Sequence, residues 1–185
     1  MNKLKIIWET YLAELQKLAP NDKFKIGDGA SAEEIQKLSK TVGEIPDELV
    51  EFLKIVNGTG SLLNDMGMLS CGAISSQWQF YCEEMADTLD AKVSNEGWLK
   101  TGSGWRREWL AIASDGGGNM WVLDRAPGVK GEIGQVFELD NYLLEGVLIG
   151  NSIADLLQRV VSKVRDGEGD DLLMIDLDKL AKSNI

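Results

Sequence analysis

Residues Trp109 to Asp124 read "WLAIASDGGGNMWVLD", and how the three glycines are read decides the fold. Opening a helix, such a run would cradle a phosphate with its backbone amides; joining two strands, it is a tight corner. Both flanks, "WLAIAS" and "MWVLD", are rich in the β-branched, aromatic and apolar residues that suit a pleated strand. A phosphate-binding loop also needs a lysine and a hydroxyl after its last glycine, and Asn119, Met120 and Trp121 stand there instead. Gly116, Gly117 and Gly118 therefore predict a hairpin turn with positive φ angles.

Working outward, the period of two returns at Gln135 to Leu139, so Trp109–Ser114, Met120–Asp124 and Gln135–Leu139 predict an antiparallel meander. "DNYLLEGVLIGNS" ends it, and Ser152 caps a last helix that turns Ile153, Leu156, Leu157, Val160, Val161 and Val164 inward. The first third is helical. Leu4, Trp8, Tyr11, Leu12, Leu15 and Leu18 form a stripe that stops before Pro20. Ser31 and Glu34 form a capping box for a helix ending near Gly43, and a third helix starts at Pro46, buries Leu49, Phe52, Leu53 and Val56, and stops at Asn57 and Gly58. "SLLNDMGMLSCG" holds a strand or two at most, after which Ser75 is expected to cap a fourth helix with Trp78, Tyr81, Cys82, Met85 and Leu89 on its stripe. The segment from Asp166 is acidic, with a short apolar stretch from Leu172 to Leu180.

Composition limits what this arrangement can do. The 185 residues fit one domain, and an apolar share of 44% with 26% charged residues is that of an ordinary globular protein. Thirty acidic against nineteen basic residues give a net charge of −11, which disfavours nucleic acid and anionic lipid and favours a cationic partner. The N-terminal stretch is interrupted by Glu9 and Glu14, and no apolar run approaches the ~20 residues of a membrane span, so the cytoplasm is the expected location. Cys71 and Cys82 read as reduced core thiols.

Catalytic motifs are thinly supplied. With no histidine there is no Ser-His-Asp triad, no Cys-His pair and no imidazole ligand, and no cofactor or metal is expected. Gly27, Gly29 and Ala32 match a dinucleotide fingerprint, but no second parallel strand follows the helix that begins at Ser31. Asp166, Glu168 and Asp170 mimic a calcium loop that then has Asp171 in place of glycine and Leu177 in place of the closing glutamate. Among six tryptophans, Trp8 and Trp78 fall on helical stripes and read as core. Trp98, Trp105, Trp109 and Trp121 crowd the meander, where they fit either cross-strand packing or interface anchors.

These residues carry a family resemblance. "WLAIASDGGGNMWVLDRAPGVKGEIGQVFELD" resembles the signature of the SMI1/KNR4 (SUKH) superfamily in its Asp-Gly-Gly-Gly-Asn turn, Leu-Asp strand end, Pro-Gly turn and Gly-Gln-Val strand. "IPDELVEFLKIVNGTG" and "SIADLLQRVVSKV" resemble the family's Pro-x-x-Leu helix and closing helix, so the best-matching part runs from Ser31 to Arg165 of a single domain, 1–185. The N-terminal helix within residues 1–20 and the acidic segment 166–185 lie outside it. The resemblance implies an α+β fold, a twisted antiparallel sheet with helices packed around it, in agreement with the periodicity.

It also implies a non-enzymatic binding module: an immunity protein neutralising a cognate toxin of a bacterial polymorphic or contact-dependent system, or a regulatory scaffold as in fungal relatives. An acidic inhibitor would suit a toxin with a basic surface, such as a nuclease groove. A carboxylate-dependent hydrolase is the reading from a different class. On the immunity reading, an exposed edge around the meander would meet the partner: Asp115 and Asn119 beside the turn, Trp105 and Trp121 as apolar anchors, Asp124 and Glu132 as charges. Asp115 and Asn119 equally fit a role in bonding their own turn amides.

Overall fold

A computed structural model of the chain describes residues 2–62, 65–84, 97–100, 105–139 and 146–166. The elements run α1 (Lys3–Leu18), α2 (Ala32–Val42), α3 (Asp47–Ile55), β1 (Gly67–Met68), α4 (Cys71–Glu83), β2 (Trp109–Ser114), β3 (Met120–Asp124), β4 (Val136–Leu139), β5 (Gly146–Gly150) and α5 (Ile153–Asp166). The strands pair in chain order, β1-β2-β3-β4-β5, every pairing antiparallel. The fold is α+β, and the meander has one strand more than the sequence predicts. The added strand, β5, carries a weak sequence signal because "GVLIG" is short and begins and ends in glycine.

The sheet is a middle layer. Leu110, Ile112, Trp121, Leu123, Val136 and Ile149 face a large core completed by α1, α3 and α5, while Trp109, Ala111, Met120, Val122, Phe137 and Leu139 face a smaller cluster with Cys82, Leu99 and Trp105. All five residues of β3 are buried, since its alternation divides two apolar sets and not an apolar from a polar one. The register slips between Ala111 and Ala113, which turns Ile112 and Ala113 successively toward the helical core.

Helix ends follow local chemistry with help from a distance. Ser31 and Glu34 form the expected capping box, and Gly43 closes α2 at φ 87°. α5 is capped by Ser152, whose hydroxyl accepts from the Asp155 amide at 3.2 Å, and also by Glu48 of α3, whose carboxylate accepts from Ile153 and Ala154 at 2.9 and 3.1 Å. α4 corrects the expectation: it begins at Cys71, Ser70 is its cap, and Ser75 lies within it. The Ser70 hydroxyl accepts from Ala73, while Asn57 Oδ1 accepts from the Cys71 amide at 2.8 Å, a partner no local window reveals. Asn57 thus ties α4 to the end of α3, which stops at Ile55; Gly58 takes the positive φ three residues later. Met85, Leu89 and Leu172 to Leu180 lie outside the described residues.

The glycine decoy at Gly27 and Gly29 has a packing explanation. A Cβ on Gly29 would come within 2.0 Å of the Lys54 carbonyl and one on Gly27 within 2.7 Å of that of Gly58, so the glycines let this segment run against the end of α3. Only an isolated bridge, Ile26 to Thr59, forms there. Cys71 and Cys82 are free and buried.

Candidate functional site

The hairpin turn between β2 and β3 already holds an anion, and it is its own. Asp115 Oδ1 accepts from the amides of Gly117, Gly118 and Asn119 at 2.7, 3.0 and 3.0 Å, and the Asn119 side-chain amide donates to Oδ2 at 2.8 Å. Gly116 and Gly118 adopt φ of 75° and 115°, as the corner requires. The amides that would face a phosphate are therefore filled by a carboxylate four residues or fewer away.

Three of the six predicted contact residues are not on an edge. Trp105 and Trp121 are 6% and 4% exposed and Asp124 is fully buried, so the expectation of an exposed aromatic and charged edge is corrected at these positions. Trp105 stacks on Tyr81, with ring centroids 4.5 Å apart, and meets Trp109 edge-on at 5.7 Å, while Trp109 meets Phe137 at 5.0 Å. Trp121 packs on the opposite side, in the helical core. Trp78, expected in the core, is only half-buried; its indole donates to the Arg107 carbonyl at 2.8 Å, and the Arg107 guanidinium lies 5.7 Å from its ring.

The surface residues of the prediction fall at opposite ends of the sheet. Asp115 and Asn119 sit at one end of β3; Glu132 lies beyond the other, about 15 Å away along a five-residue strand. At that second end Asp124 organises the β3–β4 loop. Its Oδ1 accepts from the Ala126 amide at 3.0 Å, and its Oδ2 accepts from the side chain of Gln135, which also donates to the Trp98 carbonyl at 2.9 Å. Burial, partly offset by these hydrogen bonds, pushes the Asp124 carboxyl above its usual value. Gln135 Oε1 accepts from Glu132, and the amides of Gly128 and Lys130 donate to Trp98 and Gly97, both at 2.8 Å. The loop so fixed exposes Val129 at 98% and Ile133 at 73%.

Beside the loop lies an open cleft of about 880 Å³, lined by Val42 to Asp47, Trp78, Arg107, Glu108, Arg125 and Ile133 among others. Arg125 holds its walls together. Its Nε donates to the Glu108 carbonyl, one terminal nitrogen donates to those of Val42 and Glu44 at 2.8 and 2.6 Å, and the other donates to that of Arg107. Burial pushes this guanidinium below its usual value, yet an arginine stays charged. Arg125, Gln135, Val129 and Ile133 are not among the residues that the sequence predicts for the site. For the last two a signal existed, since they are apolar residues in "APGVKGEIG", a segment with neither periodicity.

Among the described residues no group of three or more His, Cys, Asp or Glu side chains is placed to hold a metal ion, and no helix is long and apolar enough to cross a membrane. The Asp-Gly-Gly-Gly-Asn hairpin and the polar loop after β3 lie inside residues 29–159, which match the model of the SMI1/KNR4 family (SUKH-1). The chain belongs to that family. The SMI1/KNR4 match takes in α2 through the first half of α5 and omits α1, whose Glu14 nevertheless accepts from Arg165 of α5 and Lys17, both at 2.9 Å. No curated protein matches the chain.

Proposed function

We propose that this SMI1/KNR4 chain is a non-enzymatic protein-binding module that serves as an immunity protein, neutralising a cognate protein toxin in the cytoplasm. The family match over residues 29–159 carries the reading. Two further observations support it. The glycine turn is occupied by the Asp115 carboxylate and offers no cradle for a substrate phosphate. The net charge of −11 suits a basic target, such as a nuclease whose groove is built for phosphates, and steers association with it.

Co-expression with candidate toxin domains drawn from the gene's neighbourhood tests the reading through cell survival and co-purification. Rescue with a stable complex is expected, as is weaker binding between ~0.05 and ~0.5 M salt. Failure of both rescue and complex formation would overturn it.

A further inference from the structure

We infer that the partner is met by the β3–β4 loop, with Val129 and Ile133 as apolar prongs that enter an apolar pocket on a basic partner protein. This deepens the immunity reading and rests on it. Exposed apolar side chains are ordinary when scattered, but these two stand on one short loop, 98% and 73% exposed. That loop is held at both ends and in the middle: by Asp124 to Ala126, by Gly128 and Lys130 to the 97–98 backbone, and by Gln135 to Glu132. Holding an apolar pair so firmly in water does nothing for the fold, whereas a rigid anchor loses little conformational freedom on binding. Ile133 also lines the cleft, so this prong and the cleft form one continuous surface whose far wall Arg125 fixes.

The net charge of the whole chain selects the occupant. At this surface Glu44, Asp47, Glu108 and Glu132 are matched by Lys40, Arg107, Arg125 and Lys130, an even balance, while the whole chain carries −11. Attraction of a basic partner is therefore long-range and acts on approach, and the local contact is apolar and acts on retention. The hairpin end offers no such anchor: its exposed positions are glycines, and its carboxylate is engaged by its own amides.

The test is association kinetics between the full chain and candidate toxin domains drawn from its gene's neighbourhood. V129S/I133S should raise the off-rate about 30-fold or more and leave the on-rate within about 3-fold, with an unchanged melting midpoint. Salt should do the opposite, slowing association with little effect on dissociation. V129I/I133L, which keeps apolar area on the prongs, should hold affinity within about 3-fold, separating lost contact from a disturbed loop. Unaltered kinetics for V129S/I133S, in a chain that binds, would overturn the inference and leave the immunity reading standing. Absence of binding by the unsubstituted chain would overturn both.

Discussion

The two faces of the sheet are buried by different means. On one side three helices contribute apolar side chains, such as Leu15, Leu53 and Leu157, to one core with Leu123 and Ile149, and the helices are fastened to each other by Glu48 at α5 and by Glu14 between Lys17 and Arg165. On the other side an aromatic chain from Tyr81 through Trp105 and Trp109 to Phe137 covers the strands, and irregular segments are stitched over the adjoining end by Gln135 and Asp124. The first arrangement buries helix faces that propensity and pattern already favour. The second fixes loops, and it is loops that present Val129, Ile133 and the cleft.

Breaking either face should have the largest effect. Phe137→Ala on the aromatic side is expected to cost about 3–5 kcal/mol and Leu157→Ala on the helical side about 2–5 kcal/mol. In urea unfolding both should shift one common transition, followed by far-UV and near-UV circular dichroism together. A near-UV transition that separates in Phe137→Ala would mean that the faces unfold independently. Next in size, Glu48→Ala strips two amides at the start of α5 of their acceptor and should cost about 1–2 kcal/mol. Asp115→Ala, which leaves three turn amides to water, should cost about 1 kcal/mol with partner affinity unchanged; lost affinity at intact stability would assign Asp115 to the contact.

The smallest effects sharpen the comparison through pH, because the two sides respond with opposite sign. Hydrogen bonds from Lys17 first and then Arg165 hold the Glu14 carboxyl below its usual value of 4.5. Its contribution is present above that value and is lost as pH falls through the lower folded value. Burial holds the Asp124 carboxyl above its usual 3.8, so its contribution is present at low pH and is lost as pH rises through the higher folded value. Stability against pH should show a shallower acid limb for Glu14→Gln. Asp124→Asn should remove a decline on raising pH above about 4. Matching slopes in both variants would contradict this assignment.

Local chemistry was legible and distance was not. The Asp115 turn, the Ser31–Glu34 box and the stripe through Trp8, Tyr11 and Leu15 depend on neighbours within a few residues, and each is where the sequence puts it. The start of α4 depends on Asn57, fourteen residues before Cys71, and α5 is capped partly by Glu48, more than a hundred residues away. Alternation along β3 separates Trp121 and Leu123 from Met120 and Val122, but it cannot say that both sides are covered. The burial of Trp121 and Asp124 is therefore not legible in the alternation. Arg125 gave no signal because its acceptors are backbone carbonyls, which every residue has.

The pairing of the first helix with the last bears on how the chain comes into being. Glu14 and Arg165 are 151 residues apart, and the stripe of α1 finds much of its cover in α5. At the ~5–20 residues per second of translation, α1 leaves the ribosome roughly 7–30 s before its partner helix exists. For that interval Trp8, Tyr11 and Leu15 have no α5 to cover them, and of their final cover α3 is made first, long before the last helix.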